Sequence, residues 1–452
     1  MEKQEKISWP FMLPLVLGNM MNPLNSTMLA TALITLCNSF KISVGQGAIL
    51  ITSLYVTSTI AQPLMGRLAD IYSAKKINLL GFWLVMLASL IGILAPNIGW
   101  LIVSRVVLGL GTSAAYPSVI ALINKKYAEE HKEVPGSILG IVAVSGQVSS
   151  VLGPTLGGLL TQSFGWRGIF FINIPWVIVG LILSRAVPNY PPLQRQVQGT
   201  LFKRLDTIGI VLFSAFLLLL LNILVNLHPT VLSVGAVLLT LGLLSIWEWR
   251  QASPFIDVRL LVQKPALSMV YVRTLATNYI LYLLLYATPQ WIQGVKRVPP
   301  AGAGLIMLPM TLMAITMGLL ISKNNKPVLQ NVLGVLFMLT ACGSLLLLNV
   351  NTPVYFIIGI LLIVGLADGV NMIANQSLLN REAPLAQKGV SFGLYRTASY
   401  IGAIISSTQL KTLFHNGPTD DSFHQIAYYA LISSGILLVL LWPLLKRTQA
   451  AQ

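Results

Sequence analysis

The sequence predicts an all-α, multi-pass membrane protein with about fourteen transmembrane helices. Hydrophobic residues make up 55% of the 452 residues and charged residues only 9%, whereas soluble domains carry roughly 25% charged residues. The apolar residues gather into runs, and a helix needs about 20 mostly apolar residues to cross ~30 Å of hydrocarbon. Composition and run length together exclude a soluble globular fold.

Fourteen apolar runs follow one another along the chain, separated by Lys, Arg, Pro or Gly. Each is expected to form one membrane-spanning helix, because a helix satisfies all of its backbone hydrogen bonds internally in lipid. The runs cover residues 9–36, 48–68, 77–95, 100–123, 136–160, 169–183, 208–227, 231–249, 266–291, 303–321, 328–350, 354–379, 390–413 and 426–445.

The distribution of positive charge predicts the orientation. The formal net charge is +16, and Lys and Arg favour cytoplasmic loops. Both termini are expected in the cytoplasm, and the composition of the loops favours a bacterial plasma membrane. Because the basic residues lie between apolar runs and not on one solvated face, no nucleic-acid partner is expected. The loops assigned to the outside hold only Lys41, Arg167, Lys296, Arg297 and Lys411.

Four ionisable side chains lie deep within the runs: Arg105, Arg273, Asp368 and Arg396. A charge at the bilayer centre costs about 2.5 to 3.5 kcal/mol even on insertion scales, so each should face protein or water. Asp368 has two interpretations. It is a protonatable carboxylate that lines a cavity, or it forms a structural pair with an arginine and keeps its protonation state. Intramembrane ionisable groups usually mark a pathway, which favours the first interpretation.

Polar residues at helical spacing extend the candidate site. Asn371 and Asn375 follow Asp368 at i+3 and i+7 and form one stripe on an apolar helix. In the first run, Asn22 and Asn25 lie beside Pro23. They predict either a solvated face of a cavity or amide hydrogen bonds that hold neighbouring helices together.

Three tyrosines share one face of the ninth run. Tyr279 and Tyr282 lie too deep within the run to belong to the tyrosines of the membrane interface. They are candidates for stacking on a flat apolar ligand while their hydroxyls hydrogen-bond it, and core packing is the alternative. The residues are Tyr279, Tyr282 and Tyr286.

Several motifs are absent from the sequence. It contains no Walker-type Gly-x-x-x-x-Gly-Lys-Ser/Thr loop and no His-Glu-x-x-His. The four histidines are scattered, and the two cysteines, Cys37 and Cys342, are far apart. We therefore expect no enzyme activity, no metal site and no bound cofactor.

The loop after the second run resembles the signature loop of the major facilitator superfamily. It reads Gly66-Arg67-Leu68-Ala69-Asp70 and continues to Lys75. The resemblance implies a cytoplasmic gate formed by Gly66, Asp70 and Lys75, in which charges latch two halves of the protein. Ser73 and Ala74 depart from the motif, which suggests a weaker latch.

Further stretches resemble the fourteen-span drug:proton antiporter family within that superfamily. The match includes Arg105 in the fourth run, the segment 165–175, and the segments 205–209, 254–257 and 300–309. The fifth run is similar to the antiporter motif, with small or helix-bending residues at Gly140, Gly153, Pro154, Gly157 and Gly158.

The resemblance implies two six-helix bundles around a central cavity, with two extra helices between them. The expected parts are an N-terminal bundle over residues 1–187, two inserted transmembrane helices with their flanking loops over 188–264, and a C-terminal bundle over 265–452. The implied function is export of drugs, antibiotics and dyes by proton antiport, with the lipid bilayer and a drug-like molecule as partners, and the chain is expected to act as a monomer.

One departure from the family pattern affects the expected site of proton coupling. Family members commonly carry an aspartate where this chain has Asn25, which cannot titrate. Asp368 is then the expected proton carrier, with its pKa tuned by Arg105, Arg273 or Arg396. Three arginines against one aspartate disfavour strongly cationic cargo. Export of a lipid-linked molecule or a metabolite, coupling to sodium through the oxygens of Asp368, Asn371 and Asn375, and a receptor without transport remain as alternatives.

Overall fold

The structure is a computed structural model that describes residues 8–130, 136–190, 206–226, 230–251, 254–256, 258–321, 326–383 and 388–441. Over these ranges the chain is helical, with no β-strand, which confirms the all-α prediction. Each of the fourteen predicted runs contains a helix in the described residues, and residues 346–350 at the end of the eleventh run are not helical.

The first six runs form nine helices. Ser43 caps α2 through its side chain, which accepts from the backbone N–H of Gln46, and Asn97 caps α5 by accepting from Trp100. The helices are α1 (Trp9–Phe40), α2 (Val44–Gly47), α3 (Ile49–Ile71), α4 (Ala74–Leu94), α5 (Ile98–Ser113), α6 (Ala115–Glu129), α7 (Gly136–Phe164), α8 (Gly168–Phe171) and α9 (Asn173–Leu183).

The remaining runs form the helices after residue 206. A short helix, α12, leads into α13, which begins at a proline, as helices often do. The helices are α10 (Thr207–Asn226), α11 (Val231–Arg250), α12 (Val258–Gln263), α13 (Pro265–Gly294), α14 (Pro300–Ile321), α15 (Pro327–Leu345), α16 (Val354–Glu382), α17 (Lys388–Leu413) and α18 (Asp420–Leu440).

Nine helical stretches within the described residues are long and apolar enough to cross a membrane. Helices α1, α7, α13 and α17 are not among them. All four carry asparagine, serine, threonine or arginine side chains, and they pack in the pairs α1 with α7, α13 with α17, and α1 with α13. These helices therefore place polar side chains against one another, where they avoid lipid.

The most extensive helix contacts between the part before residue 187 and the part after residue 265 are three. Helix α7 packs on α14, α3 packs on α17, and α1 packs on α13. Helix α10 packs on α11 and also contacts α3 and α17. The limits 1–187, 188–264 and 265–452 stay a prediction.

The glycines of α7 lie directly against neighbouring backbones. A Cβ atom at position 153 would lie 1.8 Å from Thr27 Oγ1, and one at position 157 would lie 2.3 Å from the Met28 oxygen. A Cβ atom at position 158 would lie 2.3 Å from the oxygen of Pro300. Glycine is required at these crossings, since any side chain would push α7 away from α1 or α14.

Candidate functional site

A cavity of about 1000 Å³, including the space open to solvent, lies between α1, α6 and α7 on one side and α13 to α17 on the other. Part of its wall is apolar or adaptable, and part is polar. The apolar part includes Leu281, Leu285, Met310, Met338 and Met372, and the polar part includes Asp368, Asn371, Asn375, Gln376 and Arg396.

Asp368 lies on the cavity wall and is 6% exposed. Asn371 and Asn375 line the same wall, because spacings of three, four and seven residues place side chains on one helix face. Asn375 Nδ2 donates to Thr277 Oγ1 on α13 at 3.3 Å. The structure therefore brings together the carboxylate and both amides that the sequence stripe indicated.

Arg396, on α17, lines the cavity and faces α6 and α7 of the N-terminal part. Its guanidinium carbon lies 4.6 Å from the centroid of the Tyr116 ring on α6. A Cβ atom at position 146 of α7 would lie 3.3 Å from Arg396 Nη2. A cation over an aromatic face is worth about 0.5 to 2 kcal/mol, depending on desolvation, so Arg396 makes an attractive contact across the cavity.

Asp368 and Arg396 share two neighbours. Tyr282 and Tyr395 each interact electrostatically with both Asp368 and Arg396, and both line the cavity. The opposite charges thus flank the same pair of rings, so a molecule in the cavity meets both.

A tyrosine cluster, formed by Tyr55, Tyr282, Tyr286 and Tyr400, joins α3, α13 and α17. Tyr286 Oη donates to Tyr55 Oη at 3.0 Å, and the rings of Tyr282 and Tyr400 each lie 5.5 Å from that of Tyr55. Tyr282 and Tyr400 line the cavity, while Tyr286 is fully buried behind them. Tyr286 is hydrogen-bonded to Tyr55 and is not among the described residues that line the cavity, so its role in the cavity stays a prediction.

Arg105 and Arg273 are not among the described residues that line the cavity. Arg105 Nη1 donates to the Asn25 oxygen at 3.0 Å, and its guanidinium carbon lies 5.0 Å from the Phe170 ring centroid. Arg273 is buried and has Glu382 as its acidic neighbour. The tally of three arginines against one aspartate therefore does not describe this cavity.

The asparagines of α1 hold helices together. Asn25 and Asn173 of α9 exchange two hydrogen bonds of 2.8 Å, and Asn22 Nδ2 donates to Ser58 and Thr112 at 3.0 and 2.8 Å. Neither Asn22 nor Asn25 is among the described cavity-lining residues. Of the two interpretations, the structure shows interhelical amide bonding, since each amide faces a polar group on the next helix.

Tyr279 also lies away from the cavity wall. Its hydroxyl donates to the side-chain oxygen of Gln409 on α17, so it links α13 to α17. Tyr282, one turn further along α13, is the member of the predicted tyrosine face that lines the cavity.

The predicted gate is described in part. Gly66 lies beside Pro117, with a hypothetical Cβ atom 3.4 Å from Pro117 Cβ. Lys75 Nζ donates to the backbone oxygen of Val187, so this bond joins two segments of the N-terminal part and does not bridge the halves. The side chain of Asp70 falls outside the described residues.

The cavity includes residues that sequence reasoning missed, namely Tyr116, Gly146, Gln376, Tyr395 and Tyr400. Arg396 and Tyr400 lie four residues apart and so share a helix face, a signal that was available for Tyr400. No sequence signal connects Tyr116 or Gly146 with Arg396, because they lie on different helices.

Membrane-spanning helices around a central cavity that contains a buried carboxylate define the class of membrane transporters. The chain belongs to the Major Facilitator Superfamily, whose family model matches residues 15–407. It is a multi-pass transporter of that type.

Two relatives and one solved structure illustrate the similarity. The chain is 32% identical over 444 residues to the uncharacterized MFS-type transporter YwoD of Bacillus subtilis (strain 168), covering 95% of each chain. It is 25% identical to the multidrug efflux pump SdrM of Staphylococcus aureus (strain N315), covering 97% of each. The fold is similar to that of the peptide transporter POT in complex with sulfate, with a TM-score of 0.67, 17% identity and coverage of 95% and 94%.

Proposed function

We propose that this chain is a secondary active exporter of amphipathic small molecules that exchanges them for protons, as in the fourteen-span drug:proton antiporter family. One observation carries the proposal: a buried carboxylate, Asp368, lies on the wall of a cavity that is partly apolar and partly polar. The similarity to SdrM, a multidrug efflux pump, supports export of drug-like cargo.

The cavity suits amphipathic cargo. Methionine side chains are flexible and polarisable, so they adapt to varied shapes, and Met310, Met338 and Met372 all line the wall. Pockets for drug-sized molecules combine apolar contacts with a few polar groups. The wall is therefore suited to cargo molecules of varied shape, which its charged groups orient.

We infer that contacts between the halves, made by residues outside the described cavity wall, close one end of the cavity. Thr155 Oγ1 donates to the Gly304 oxygen at 2.9 Å, and Gln293 Nε2 donates to the Thr31 oxygen at 3.1 Å. In the predicted orientation, this closed end faces the outside and the cavity faces the cytoplasm. Alternating access then requires the bundles to rock about the central site, so these contacts break during export.

Asp368 is the proposed proton carrier. A carboxylate at a low-dielectric wall costs free energy when charged, so occupancy of the cavity by cargo and protonation of Asp368 are coupled. Arg396, which shares Tyr282 and Tyr395 with Asp368 as neighbours, is the arginine in the cavity able to tune that coupling. No cofactor beyond the proton gradient is required, and we propose a monomer in the bacterial plasma membrane with both termini in the cytoplasm.

Proteoliposomes with an internal pH dye test the proposal. Norfloxacin or ethidium is added to the wild type, to Asp368→Asn and to Asp421→Asn, the last a matched control because Asp421 is exposed at the start of α18. We expect cargo-triggered proton movement in the wild type and the control, and its loss in Asp368→Asn. Uphill export that persists without pH dependence in Asp368→Asn contradicts the proposal.

Sodium-coupled export of a metabolite is the second candidate. Asn371 and Asn375 line the same cavity as Asp368, and oxygen ligands suit a hard cation. Varying sodium at constant pH in the same proteoliposomes separates the two, since only a sodium-coupled carrier changes its rate with the sodium gradient.

A further inference from the structure

Arg396 lies where a molecule in the cavity meets both halves of the protein. It extends from α17, and its guanidinium carbon lies 4.6 Å from the Tyr116 centroid on α6. Tyr282, Tyr395 and Tyr400 are also close enough to interact with its charge. All of these tyrosines line the cavity. Arg396 is therefore a cation surrounded by aromatic rings at the cavity surface.

Glycine at position 146 makes room for this arginine. A Cβ atom there would lie 3.3 Å from Arg396 Nη2 and 3.4 Å from Asn19 Nδ2, which is tight for either neighbour. The guanidinium thus reaches the surface of α7 itself. An anionic group that binds Arg396 is at the same time placed beside α6 and α7.

The chemistry of arginine indicates which group binds there. A guanidinium is a planar fork of five N–H donors that matches a carboxylate in two parallel hydrogen bonds. Tyr116 attracts the positive charge through its ring and also makes one side-chain hydrogen bond with Arg396, but it offers the fork no pair of acceptors of that shape. A carboxylate therefore competes effectively with Tyr116 for Arg396, whereas a neutral amide competes poorly.

We propose that Arg396, with Tyr116 and Gly146, forms a subsite for the anionic group of the cargo, so that the cargo is an amphipathic molecule with a carboxylate or a similar anion. This inference rests on the proposed export function and narrows its substrate class. The apolar body of the cargo then lies against Leu281, Leu285 and the methionines of the wall. Binding draws Arg396 from the Tyr116 ring and weakens one contact between the halves.

A pair of fluorescent probes tests the subsite by binding alone. Dansylglycine carries a carboxylate, and dansylglycinamide has the same body with a neutral amide. Both are titrated into the purified full-length chain in detergent, with protein-free micelles as the blank. We expect the wild type to bind dansylglycine about tenfold more tightly than the amide, since a hydrogen bond to a charged group strengthens binding by about a factor of ten or more.

Three variants locate the preference. Arg396→Gln is expected to abolish the preference and to leave binding of the amide unchanged, and Arg396→Lys to keep part of it, because the charge remains and the fork is lost. Arg167→Gln is the matched control: Arg167 also lies over an aromatic ring, 4.2 Å from the Trp166 centroid, but away from the cavity. Melting temperature and elution as a single species verify that each variant is folded.

Three results overturn the subsite: a wild type without preference for the carboxylate, a preference that survives Arg396→Gln, and an equal loss of both probes in Arg396→Lys. The assay needs no proton gradient and no transport. If the subsite fails while transport that depends on Asp368 is observed, only the substrate class is wrong. If the preference is found but no proton moves, the coupling is wrong and the subsite stands.

Discussion

Tyr286 Oη donates to Tyr55 Oη at 3.0 Å, and this bond joins α13 to α3 across the middle of the molecule. Both side chains are fully buried. The tyrosine cluster of Tyr55, Tyr282, Tyr286 and Tyr400 therefore joins the two halves beside the cavity. If the halves rock apart in an alternating-access cycle, the contacts of this cluster have to break.

Removing the Tyr286 hydroxyl should shift the equilibrium towards the opposite conformation. A hydrogen bond contributes about 0.5 to 1.5 kcal/mol, so Tyr286→Phe is expected to change the ratio of states up to about tenfold. The ratio is measured as a distance distribution between spin labels on cysteines placed at Ser39 and Asn351, both exposed, in a background without Cys37 and Cys342.

Tyr429→Phe is the control for that measurement, because Tyr429 is exposed on α18 and its hydroxyl should not affect the bundles. An unchanged distribution in Tyr286→Phe would show that the hydroxyl bond does not bias the two states.

Glycine 158 should be essential for the closed state. A Cβ atom there would lie 2.3 Å from the Pro300 oxygen, and overpacking costs about 1 to 3 kcal/mol. Gly158→Ala is expected to slow export by about tenfold or more in the proteoliposome assay.

The matched control is Gly235→Ala on α11, where nothing lies within 4 Å of the added Cβ atom. Equal rates for Gly158→Ala and the wild type would mean that α7 and α14 separate without loss of transport.

Asn25→Asp should not restore proton coupling to an Asp368→Asn chain. Asn25 faces Asn173 and lies outside the described cavity wall, so a carboxylate at position 25 meets Asn173 and not the cargo. The double variant is expected to show no cargo-triggered proton movement with the internal dye. Recovered proton movement would place the coupling site in α1 and remove the special role of Asp368.

Asp206 should stabilise the entry to the inserted helices. Its carboxylate accepts from Trp247 Nε1 at 2.8 Å and from Gly209 and Phe255 backbone N–H groups at 3.2 Å, and its φ of 49° suits aspartate or asparagine. Asp206→Ala is expected to lower the free energy of unfolding by about 1 to 3 kcal/mol, and Asp206→Asn by less.

Thermal unfolding in detergent measures that order, with Asp421→Ala as the exposed control. If Asp206→Ala and Asp206→Asn melt at the same temperature as the wild type, the three hydrogen bonds contribute nothing to stability.

Much of the fold was predictable because the bilayer imposes simple rules. A span needs about 20 apolar residues, so the runs correspond to the helices of the described chain. The position of Asp368 with Asn371 and Asn375 was predictable for a similar reason, since helical periodicity places them on one face and lipid excludes a charge.

The sequence by itself thus determined the helices, the superfamily and the carboxylate with its stripe. Tertiary structure alone decided which of the three arginines reaches the cavity, that Asn25 meets Asn173, and that Tyr116 and Gly146 receive Arg396. The physical reason is that sequence periodicity orders side chains within one helix, whereas the rotation of each helix against its neighbours depends on packing between residues far apart in the chain.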